Sequence, residues 1–362
     1  MSDHIQTSIQ NRTGFLTLDR PKALNSLSLQ MVRALTATLL GWRSDPEVRA
    51  VVIRSTSERA FCAGGDIRFF HDAGTRTPQG GSALLEDFFT EEYALNHLIH
   101  HYPKPYIAIM DGIVMGGGMG ISQAGPGNRL RVVTERTKMA MPEVNIGLFP
   151  DVGGSFFLSR APGQIGAYLG VTGEIIGAAD ALYAGLADVY VPSARLPALL
   201  ELIASDNGDD VRATIRSFAM QADTVVPATS MLAEQRALID RHFAHDDVVS
   251  IAASLASDVD PFAQKTLAVM NKRSPLMMCV TLAQLRRGAK LGIADCLRME
   301  RTMVRRCFEH GEVLEGVRAV VIDKDNAPRW NPSMLDEVSS DMIEHFFATA
   351  WPPQAHPLRD LR

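Results

Sequence analysis

The sequence is poor in cysteine, and its cysteines have no arrangement typical of a disulfide framework or a metal site. There are four cysteines, at Cys62, Cys279, Cys296 and Cys307, and none belongs to a CxxC pair or to a Cys/His spacing. Folds that are stabilised by disulfides and structural zinc sites need such pairs at short, regular spacings. We therefore predict neither a disulfide scaffold nor a zinc centre.

Long uncharged apolar runs and an excess of positive charge are also missing. No charge-free apolar stretch reaches the length that is needed to cross a membrane. With 36 basic and 41 acidic residues the formal net charge is −5, whereas nucleic-acid-binding domains usually present a basic face. These absences predict a protein with no membrane partner and no nucleic-acid partner, while assembly into a homo-oligomer stays open.

The start of the chain has none of the features of a targeting segment. Residues 1–14 contain no basic start followed by an apolar core, and no arginine-rich amphipathic face. The sparse, unpaired cysteines are also typical of a reducing compartment. The sequence therefore predicts a cytoplasmic location.

What is present is the composition of an ordinary globular protein. The chain has 362 residues, of which 46% are apolar and 21% are charged. These values are close to average, and they exclude a disordered chain, a collagen and a coiled coil. A chain of this length can bury a sizeable core without disulfides or metals.

The first half of the chain alternates strand-like and helix-like segments. Apolar runs at 15–18, 50–53 and 106–110 have the length and composition of buried strands. Ser28 is placed to cap a helix, and a longer helix fits residues 84–101. Continuous apolar strands that are separated by helices are typical of parallel pairing, so this pattern predicts an α/β core.

The pattern changes in the second half, and this change predicts three parts. Residues 1–192 form the predicted α/β core, and residues 193–350 form an almost wholly helical region with a polar loop at 205–210. Near the end of this region, residues 317–322 fit a strand and the end of a helix equally well. Residues 351–362 carry three prolines and are predicted to form a loose tail.

The first candidate motif is the glycine-containing loop 61–66, which follows a predicted strand. Gly64 and Gly65 allow backbone N–H groups to point into a cavity. An ordinary strand-to-helix turn has the same composition, and for this loop taken alone the ordinary turn is the better explanation.

The second candidate motif, residues 115–120, contains four glycines in five residues at a predicted helix start. Such a loop lets a substrate oxygen approach the backbone amides, where the helix dipole favours negative charge. Close helix packing explains the glycines equally well. The spacing fits neither G-x-G-x-x-G nor a P-loop, which disfavours a nucleotide site. Taken together, however, the two loops fit an oxyanion hole, in which two N–H groups converge on one oxygen of an acyl thioester.

The third candidate motif, residues 141–154, holds Glu143 and Asp151 in one segment. A glycine and a proline between them prevent a continuous helix, so both carboxylates can lie on a loop that lines one pocket. Apolar neighbours would desolvate a carboxylate there and raise its pKa. For the segment in isolation, a slightly better alternative is that Asp151 caps a helix starting at Val152 while Glu143 is solvated.

Other candidate groups are weaker. Glu92 falls on a predicted helix, where a solvated position is the default. His97 and His101 are spaced like a metal-binding pair, but no HExxH frame surrounds them, and the exposed end of a helix explains them better. Ser155 does not lie in a G-x-S-x-G motif. Cys62 follows a strand and is predicted to be packed rather than reactive.

In combination, these motifs resemble the crotonase, or enoyl-CoA hydratase/isomerase, superfamily, and most closely its branch of 3-hydroxyisobutyryl-CoA hydrolases. The superfamily signature is similar at residues 18–25, 60–66, 115–118 and 142–143. The hydrolase branch is similar at residues 64–68, 91–96, 146–154 and 315–325. The resemblance covers roughly residues 14–347, and its motifs are long and jointly specific.

The resemblance implies a crotonase-like ββα spiral core with an extended helical C-terminal region that packs on it. It implies a coenzyme A thioester as substrate and an oxyanion hole made by the N–H groups of Gly65 and Gly117. Glu143 carries over as the main catalytic carboxylate, and Asp151 as a second acidic group near the acyl part of the substrate. Glu92 matches a further acidic residue of the acyl pocket.

One position separates the hydrolase branch from the hydratases. A hydratase is expected to carry a second glutamate three residues after the oxyanion glycine, where this chain has Gly120. The resemblance therefore implies hydrolysis of a short 3-hydroxyacyl-CoA, above all 3-hydroxyisobutyryl-CoA in valine breakdown. No cofactor is expected, because a thioester is already activated. A lyase or isomerase of the same fold and a non-catalytic acyl-CoA-binding protein stay open, as does the choice between nucleophile and general base for Glu143.

Overall fold

The computed structural model describes residues 4–206, 210–221 and 229–362. The chain divides into two compact units, each built from separate stretches of sequence. Unit 1 comprises Met1–Gly65, Ala94–Met139 and Ile176–Met231, and unit 2 comprises Asp66–Tyr93, Ala140–Ile175 and Leu232–Arg362. The predicted boundaries at 192 and 350 stay a prediction. Residues 207–209 of the predicted polar loop lie outside the described residues.

The strands form two sheets. In chain order they are β1 (Ile5–Gln10), β2 (Thr13–Leu18), β3 (Ala50–Ser55), β4 (Ala60–Cys62), β5 (Tyr106–Met110), β6 (Ile113–Met115), β7 (Arg129–Val133), β8 (Lys138–Ala140) and β9 (Val189–Tyr190). Within the described residues, the larger sheet has the order β1-β2-β3-β5-β7-β9 and the smaller has the order β4-β6-β8. β1 and β2 are antiparallel, and from β2 onwards the neighbours in the larger sheet run parallel.

From β3 to β9, consecutive strands alternate between the two sheets. β3, β5 and β7 join the larger sheet, and the strands that follow them, β4, β6 and β8, join the smaller one. Each pair is followed by a helical segment, which begins at Ile67, Gly117 and Glu143 respectively. This is a repeated ββα arrangement, and it confirms the predicted α/β class with parallel pairing.

The helices lie between and after the strands. In chain order they are α1 (Leu29–Ser44), α2 (Ile67–Arg76), α3 (Ala83–His100), α4 (Gly117–Gly120), α5 (Gly154–Phe157), α6 (Ile165–Thr172), α7 (Ala178–Tyr183), α8 (Leu196–Ser205), α9 (Val211–Gln221), α10 (Met231–Glu234), α11 (Arg236–Phe243), α12 (Val248–Ala256), α13 (Pro261–Met270), α14 (Pro275–Gly288), α15 (Ile293–His310), α16 (Glu312–Val317) and α17 (Ser340–Phe347). A π-helical turn, Arg318–Ile322, continues α16, so the ambiguous segment is a helix end. Among the described helices, none combines the length and hydrophobicity that a bilayer crossing requires.

Local sequence signals account for the first elements. The Ser28 hydroxyl accepts a 3.3 Å hydrogen bond from the Met31 N–H and so caps α1, as predicted. The run at 106–110 forms β5, and every residue of that strand is buried. Strands that are covered on both faces read as continuous apolar runs, which is why this element could be located from sequence.

The core of unit 1 lies against one face of the larger sheet. Val52, Ile107 and Val132, from three neighbouring strands, share a buried cluster with Leu199 of α8 and Ile215 of α9. Burial of branched side chains from both layers removes apolar area from water and holds these helices against the sheet.

The core of unit 2 is helical and rich in aromatic rings. The ring centroids of Phe70 on α2 and Phe89 on α3 are 4.9 Å apart, and those of Phe89 and Phe308 on α15 are 5.7 Å apart. Such tilted contacts stabilise a core beyond the area that they bury. These ring contacts hold α3 in place at Phe89, one helical turn before Glu92 and Tyr93.

Residues 351–362 lie against α15. Leu358 is buried, and its carbonyl oxygen accepts a 3.3 Å hydrogen bond from Arg298 Nη1. The Arg301 guanidinium carbon is 4.9 Å from the centroid of the Trp351 ring, a cation–π contact. The segment that was expected to be a loose tail is therefore docked on the helix.

Candidate active site

The two glycine-rich loops of unit 1 lie backbone against backbone. A side-chain carbon added to Gly64, whose φ is +107°, would lie 3.8 Å from the Gly117 nitrogen. One added to Gly118 would lie 2.3 Å from the Cys62 carbonyl oxygen, closer than real contacts allow. Glycine is therefore required at Gly118 by close packing and at Gly64 by its backbone conformation. Close packing, one of the two explanations that the sequence left open for the glycines of the second loop, therefore applies at Gly118.

Gly65 and Gly117 belong to these two neighbouring loops. Gly65 pairs with Leu27 in an isolated parallel bridge. Gly117 is the first residue of α4, after Gly116 with a φ of +47°. The N–H group of a first helical residue has no acceptor within its own helix. The assignment of these two amides as oxyanion donors stays a prediction.

Three carboxyl groups of unit 2 form a buried acidic cluster, which consists of Glu92, Glu143 and Asp151. Their exposed fractions are 2%, 6% and 5%. Burial first, and then the negative charge of Asp151, raises the pKa of Glu143 and that of Glu92, so the three groups interact electrostatically. The solvated positions considered for Glu143 and Glu92 are therefore wrong.

Glu143 is held by a tight turn. It begins the 3-10 helix Glu143–Ile146, which ends at Gly147 with a φ of +69°. A side-chain carbon at Gly147 would lie 2.4 Å from the Glu312 carbonyl oxygen. Val144 is buried, and its carbonyl accepts a 3.2 Å hydrogen bond from the Ser274 N–H. The backbone around Glu143 is thus fixed on both sides of the turn.

Asp151 is oriented by a tyrosine. The Tyr93 hydroxyl donates a 2.7 Å hydrogen bond to Asp151 Oδ2. Burial raises the pKa of Asp151 to about 6, although the Tyr93 hydrogen bond acts in the opposite direction. Helix α5 begins at Gly154 with Gly153 as its N-cap. The alternative in which Asp151 caps a helix starting at Val152 is therefore wrong.

The chain after Asp151 is held by two buried side chains from distant helices. Glu300 Oε2 accepts the Gly153 N–H at 2.8 Å, and Glu300 Oε1 accepts the Ser155 N–H at 2.9 Å. Gln284 Nε2 donates to the Pro150 carbonyl at 2.6 Å and to the Ser155 hydroxyl at 2.7 Å. Burial raises the pKa of Glu300 to about 8, while the two backbone hydrogen bonds lower it.

The acidic cluster contains oxygen atoms that lack partners. Among the described residues, Glu143 Oε2 and Glu92 Oε1 are buried without a hydrogen bond. Burial is the main cause of the raised pKa of both glutamates, and the charge of Asp151 is the next. An unsatisfied buried polar atom is costly, so these oxygens are sites where polar groups of a substrate would complete the hydrogen bonding.

The predicted site residues thus fall into two groups, with Gly65 and Gly117 in unit 1 and the three acids in unit 2. Sequence reasoning missed Tyr93, Gln284 and Glu300. Tyr93 lies beside Glu92 in a stretch that resembles the hydrolase branch, and this was a usable signal. Gln284 and Glu300 lie in helices without any recognisable motif.

The weaker candidates lie in several parts of the fold. The His97 and His101 rings contact each other in a tilted arrangement, with their centroids 4.5 Å apart. In the part of the chain that the structure describes, no group of at least three His, Cys, Asp or Glu side chains could hold a metal ion. Cys62 is buried, as predicted for a packed side chain. Ser155 belongs to the loop that Glu300 and Gln284 hold.

Comparison with known proteins identifies relatives over nearly the whole chain. The family model for enoyl-CoA hydratase/isomerase matches residues 13–347. The mitochondrial 3-hydroxyisobutyryl-CoA hydrolase of Gallus gallus is 42% identical over 341 residues, which cover 93% of this chain and 87% of the relative. The resemblance inferred from the sequence motifs is confirmed.

Two solved structures have the same fold. A carnitinyl-CoA dehydratase from Mycobacterium thermoresistibile is 39% identical, with a TM-score of 0.89 over 97% of this chain and 98% of that chain. An enoyl-CoA hydratase from Rhodobacter sphaeroides is 37% identical, with a TM-score of 0.85 over 96% of this chain and 98% of that chain. They confirm the predicted crotonase-like fold.

The same comparisons correct the predicted location. The hydrolases of chicken, frog, rat and human that match this chain are all named as mitochondrial proteins. The prediction of a cytoplasmic location, which rested on the composition of residues 1–14 and on the sparse, unpaired cysteines, is therefore wrong.

Proposed function

Since the chain belongs to the enoyl-CoA hydratase/isomerase family, we propose that it hydrolyses 3-hydroxyisobutyryl-CoA to 3-hydroxyisobutyrate and coenzyme A. This reaction breaks the thioester bond with one water molecule, and we place it in valine degradation. The activity named for the chicken relative supports this substrate. The broader form of the proposal is a hydrolase of short 3-hydroxyacyl-CoA thioesters.

The observation that carries the proposal is the buried acidic cluster. Glu143 and Asp151 are held in one loop segment, Glu92 joins them from α3, and none of the three is exposed to more than 6%. Such a cluster offers one carboxylate for the reaction and others for orientation of a polar acyl group. The unpartnered oxygens of Glu92 and Glu143 are the atoms that lack a hydrogen bond before substrate arrives.

In the proposed mechanism, the N–H groups of Gly65 and Gly117 bind the thioester carbonyl oxygen. Two backbone donors that are fixed in advance stabilise the negative charge that develops on this oxygen when the carbonyl carbon is attacked. The close packing of the two loops supports this role, because it holds their backbones side by side.

Glu143 carries the chemistry in either of two ways. As a general base it removes a proton from the attacking water, and as a nucleophile it attacks the carbonyl carbon and forms a mixed anhydride that water then cleaves. In both cases coenzyme A leaves as the thiol and the carboxylate is regenerated. Burial and the charge of Asp151 raise the pKa of Glu143, and a raised pKa makes a carboxylate a stronger base near neutral pH.

Asp151 and Glu92 are the proposed partners of the 3-hydroxyl group of the substrate. An ionised carboxylate accepts hydrogen bonds, and a substrate hydroxyl donates one. Because the pKa of Asp151 is about 6, this group is mainly ionised at neutral pH. We also propose that the reaction needs no metal or redox cofactor, since the thioester is already an activated carboxyl derivative.

A second candidate is a hydratase or dehydratase, the activity named for the two solved structures. Addition of water across a double bond is expected to need a second carboxylate at the position of Gly120, which here is the last residue of α4. The absence of a side chain there favours hydrolysis. A third candidate, a non-catalytic acyl-CoA-binding protein, is disfavoured by the retained Glu143 and Asp151.

The test is a panel of thioesters assayed for two products. Release of free thiol, followed with a chromogenic reagent, reports hydrolysis, and loss of the conjugated absorbance of crotonyl-CoA reports hydration. We expect thiol release from 3-hydroxyisobutyryl-CoA and 3-hydroxypropionyl-CoA, and no hydration of crotonyl-CoA. Hydration without thiol release would establish the second candidate, and binding of the thioesters without any reaction would establish the third.

A further inference from the structure

The segment that presents Asp151 has an unusual backbone. Val152 is buried and has a φ of +51°, and Gly153 follows with a φ of +90°. A β-branched residue in the left-handed region is a genuine outlier and persists only where surrounding contacts hold it. The direction in which the chain leaves Asp151 is therefore imposed by other parts of the fold.

Glu300 and Gln284 supply those contacts. The two oxygens of Glu300 accept the N–H groups of Gly153 and Ser155 at 2.8 and 2.9 Å. Gln284 binds the other end of the segment through the Pro150 carbonyl at 2.6 Å. Glu300 and Gln284 are fully buried and lie on the long helices α15 and α14. The segment 150–155 is thus held on both sides of Asp151.

We propose that Glu300 and Gln284 are positioning residues that fix the segment 150–155 and so aim the Asp151 carboxylate at the substrate hydroxyl. The inference rests on the proposed function, because that function gives Asp151 the hydroxyl to bind. Neither side chain takes part in the chemistry. Both act through the backbone on either side of Asp151.

The residue type at Glu300 fits this task. Two backbone N–H groups point at its carboxyl group, and each of the two carboxyl oxygens accepts one of them. Glutamine has the same shape but only one acceptor, and its NH₂ group would face the other N–H. Glu300→Gln therefore breaks one contact with the loop and leaves the side-chain volume unchanged.

Gln284 allows an independent variant on the other helix. Gln284→Met keeps the length of the side chain and removes its donor, so the Pro150 carbonyl loses its partner. Thr281→Val is the matched control on α14. Thr281 is buried, and its hydroxyl has no hydrogen-bond partner within the described residues. The control therefore removes a buried polar atom without breaking a hydrogen bond.

The experiment compares wild type, Glu300→Gln, Gln284→Met, Thr281→Val and Asp151→Asn. For each variant, kcat and KM are measured with 3-hydroxyisobutyryl-CoA and with isobutyryl-CoA, which lacks the hydroxyl. Binding of free coenzyme A and the melting temperature are measured alongside. The ratio of kcat/KM for the two thioesters is the decisive readout, since a smaller fraction of folded enzyme lowers both values equally.

For both loop variants we expect kcat with 3-hydroxyisobutyryl-CoA to fall by about tenfold or more, because small misplacements of an orienting group are costly. The ratio of kcat/KM for 3-hydroxyisobutyryl-CoA to that for isobutyryl-CoA should fall towards the ratio of Asp151→Asn. The affinity of both variants for coenzyme A should equal that of wild type, and Thr281→Val should keep the wild-type kcat and ratio. A wild-type ratio in the folded loop variants overturns the inference, even if kcat falls, because the residues then support the fold in general.

The same experiment separates a failure of the proposed function from a failure of the positioning role. If wild-type enzyme treats both thioesters alike, the 3-hydroxyacyl assignment fails, and the positioning role is decided by combining Glu300→Gln with Asp151→Asn. If Glu300 acts through Asp151, the double variant loses no more kcat than the worse single variant. Additive losses overturn the inference.

Discussion

The Tyr93 hydroxyl donates a 2.7 Å hydrogen bond to Asp151 Oδ2, and both side chains are buried. This contact joins the acidic segment of the 141–154 motif to helix α3, the helix that also carries Glu92. The hydrogen bond favours the ionised form of Asp151, whereas burial opposes it and raises its pKa to about 6. Tyr93 therefore influences both the direction and the charge of Asp151.

Tyr93→Phe should raise the pKa of Asp151, because the variant removes a donor to the ionised carboxylate. A hydrogen bond to a charged group contributes about 1.5–3 kcal/mol, so kcat/KM for 3-hydroxyisobutyryl-CoA should fall by about tenfold or more at pH near 6. The loss should be smaller at more alkaline pH, where Asp151 ionises without help. The measurement is kcat/KM across this pH range.

Tyr102→Phe is the matched control, since the buried Tyr102 hydroxyl donates to the Leu39 carbonyl at 2.9 Å within unit 1. Two results would show that Tyr93 does not act on the charge of Asp151. One is a loss of kcat/KM in Tyr93→Phe that is equal at all pH values, and the other is an equal loss of kcat/KM in Tyr102→Phe.

Glu143→Gln should abolish thioester hydrolysis while the fold and the binding of coenzyme A stay intact. Glutamine keeps the shape of the side chain but neither removes a proton from water nor attacks a carbonyl carbon. Thiol release is the assay, and Glu344→Gln, at an exposed glutamate of α17, is the control. Retention of more than about a tenth of wild-type turnover, a loss under about 1.4 kcal/mol, would exclude Glu143 as the reacting group.

The pH dependence of kcat/KM should report the raised pKa of Glu143. Burial first, and then the charge of Asp151, raises this pKa above its ordinary value of 4.5. Because Glu143 must be ionised to act, activity should rise with pH through the raised pKa. In Asp151→Asn the neighbouring charge is gone, so the acid limb of the profile should move to lower pH. If the acid limb of the Asp151→Asn profile stays at the wild-type pH, the proposed interaction between Asp151 and Glu143 is contradicted. The control is the uncatalysed rate of thioester hydrolysis at each pH.

Gly117→Pro should reduce turnover by roughly 100- to 1000-fold, the usual effect of losing one oxyanion donor. Proline removes the backbone N–H, and the first position of a helix, which Gly117 occupies in α4, is where a helix tolerates proline. Circular dichroism and thermal melting check that the variant is folded. A folded variant with normal turnover would exclude the Gly117 amide as a donor.

Local signals in the sequence were sufficient to predict part of the fold. Strand β5 coincides with the apolar run at 106–110, and the Ser28 cap starts α1. Both depend on neighbouring residues alone. The segment 351–362 was expected to be loose because its prolines disfavour regular structure. Its docking depends on the contacts of Leu358 with Arg298 and of Trp351 with Arg301, which lie 60 and 50 residues earlier in the chain and which no local pattern encodes.

The candidate site likewise contains residues that could be predicted from the sequence and residues that could not. Glu143 and Asp151 were found because they share one motif, and Glu92 was found through the resemblance to a family. The burial of Glu143, which decides its pKa, could not be inferred from the segment alone, since it depends on chain folded around it. Glu300 accepts N–H groups from Gly153 and Ser155 across about 145 residues of sequence. Such a long-range contact has no signature in composition or spacing.

The central claim is that the site is built for an acyl group with a 3-hydroxyl. Isobutyryl-CoA has the same carbon skeleton without this hydroxyl. Its binding would leave Glu92 Oε1 buried without a hydrogen bond and would give Asp151 no donor besides Tyr93, at a cost of about 1–3 kcal/mol or more. The variants Asp151→Asn and Glu92→Gln should narrow the difference between the two thioesters more than they weaken coenzyme A binding.

The most direct measurement is kcat/KM of wild-type enzyme for 3-hydroxyisobutyryl-CoA and for isobutyryl-CoA, determined by thiol release under the same conditions. We expect the value for isobutyryl-CoA to be lower by about a hundredfold or more, because a site that binds a hydroxyl rejects the analogue that lacks it. Equal values for the two thioesters would contradict a 3-hydroxyacyl-CoA hydrolase and would leave a general acyl-CoA thioesterase.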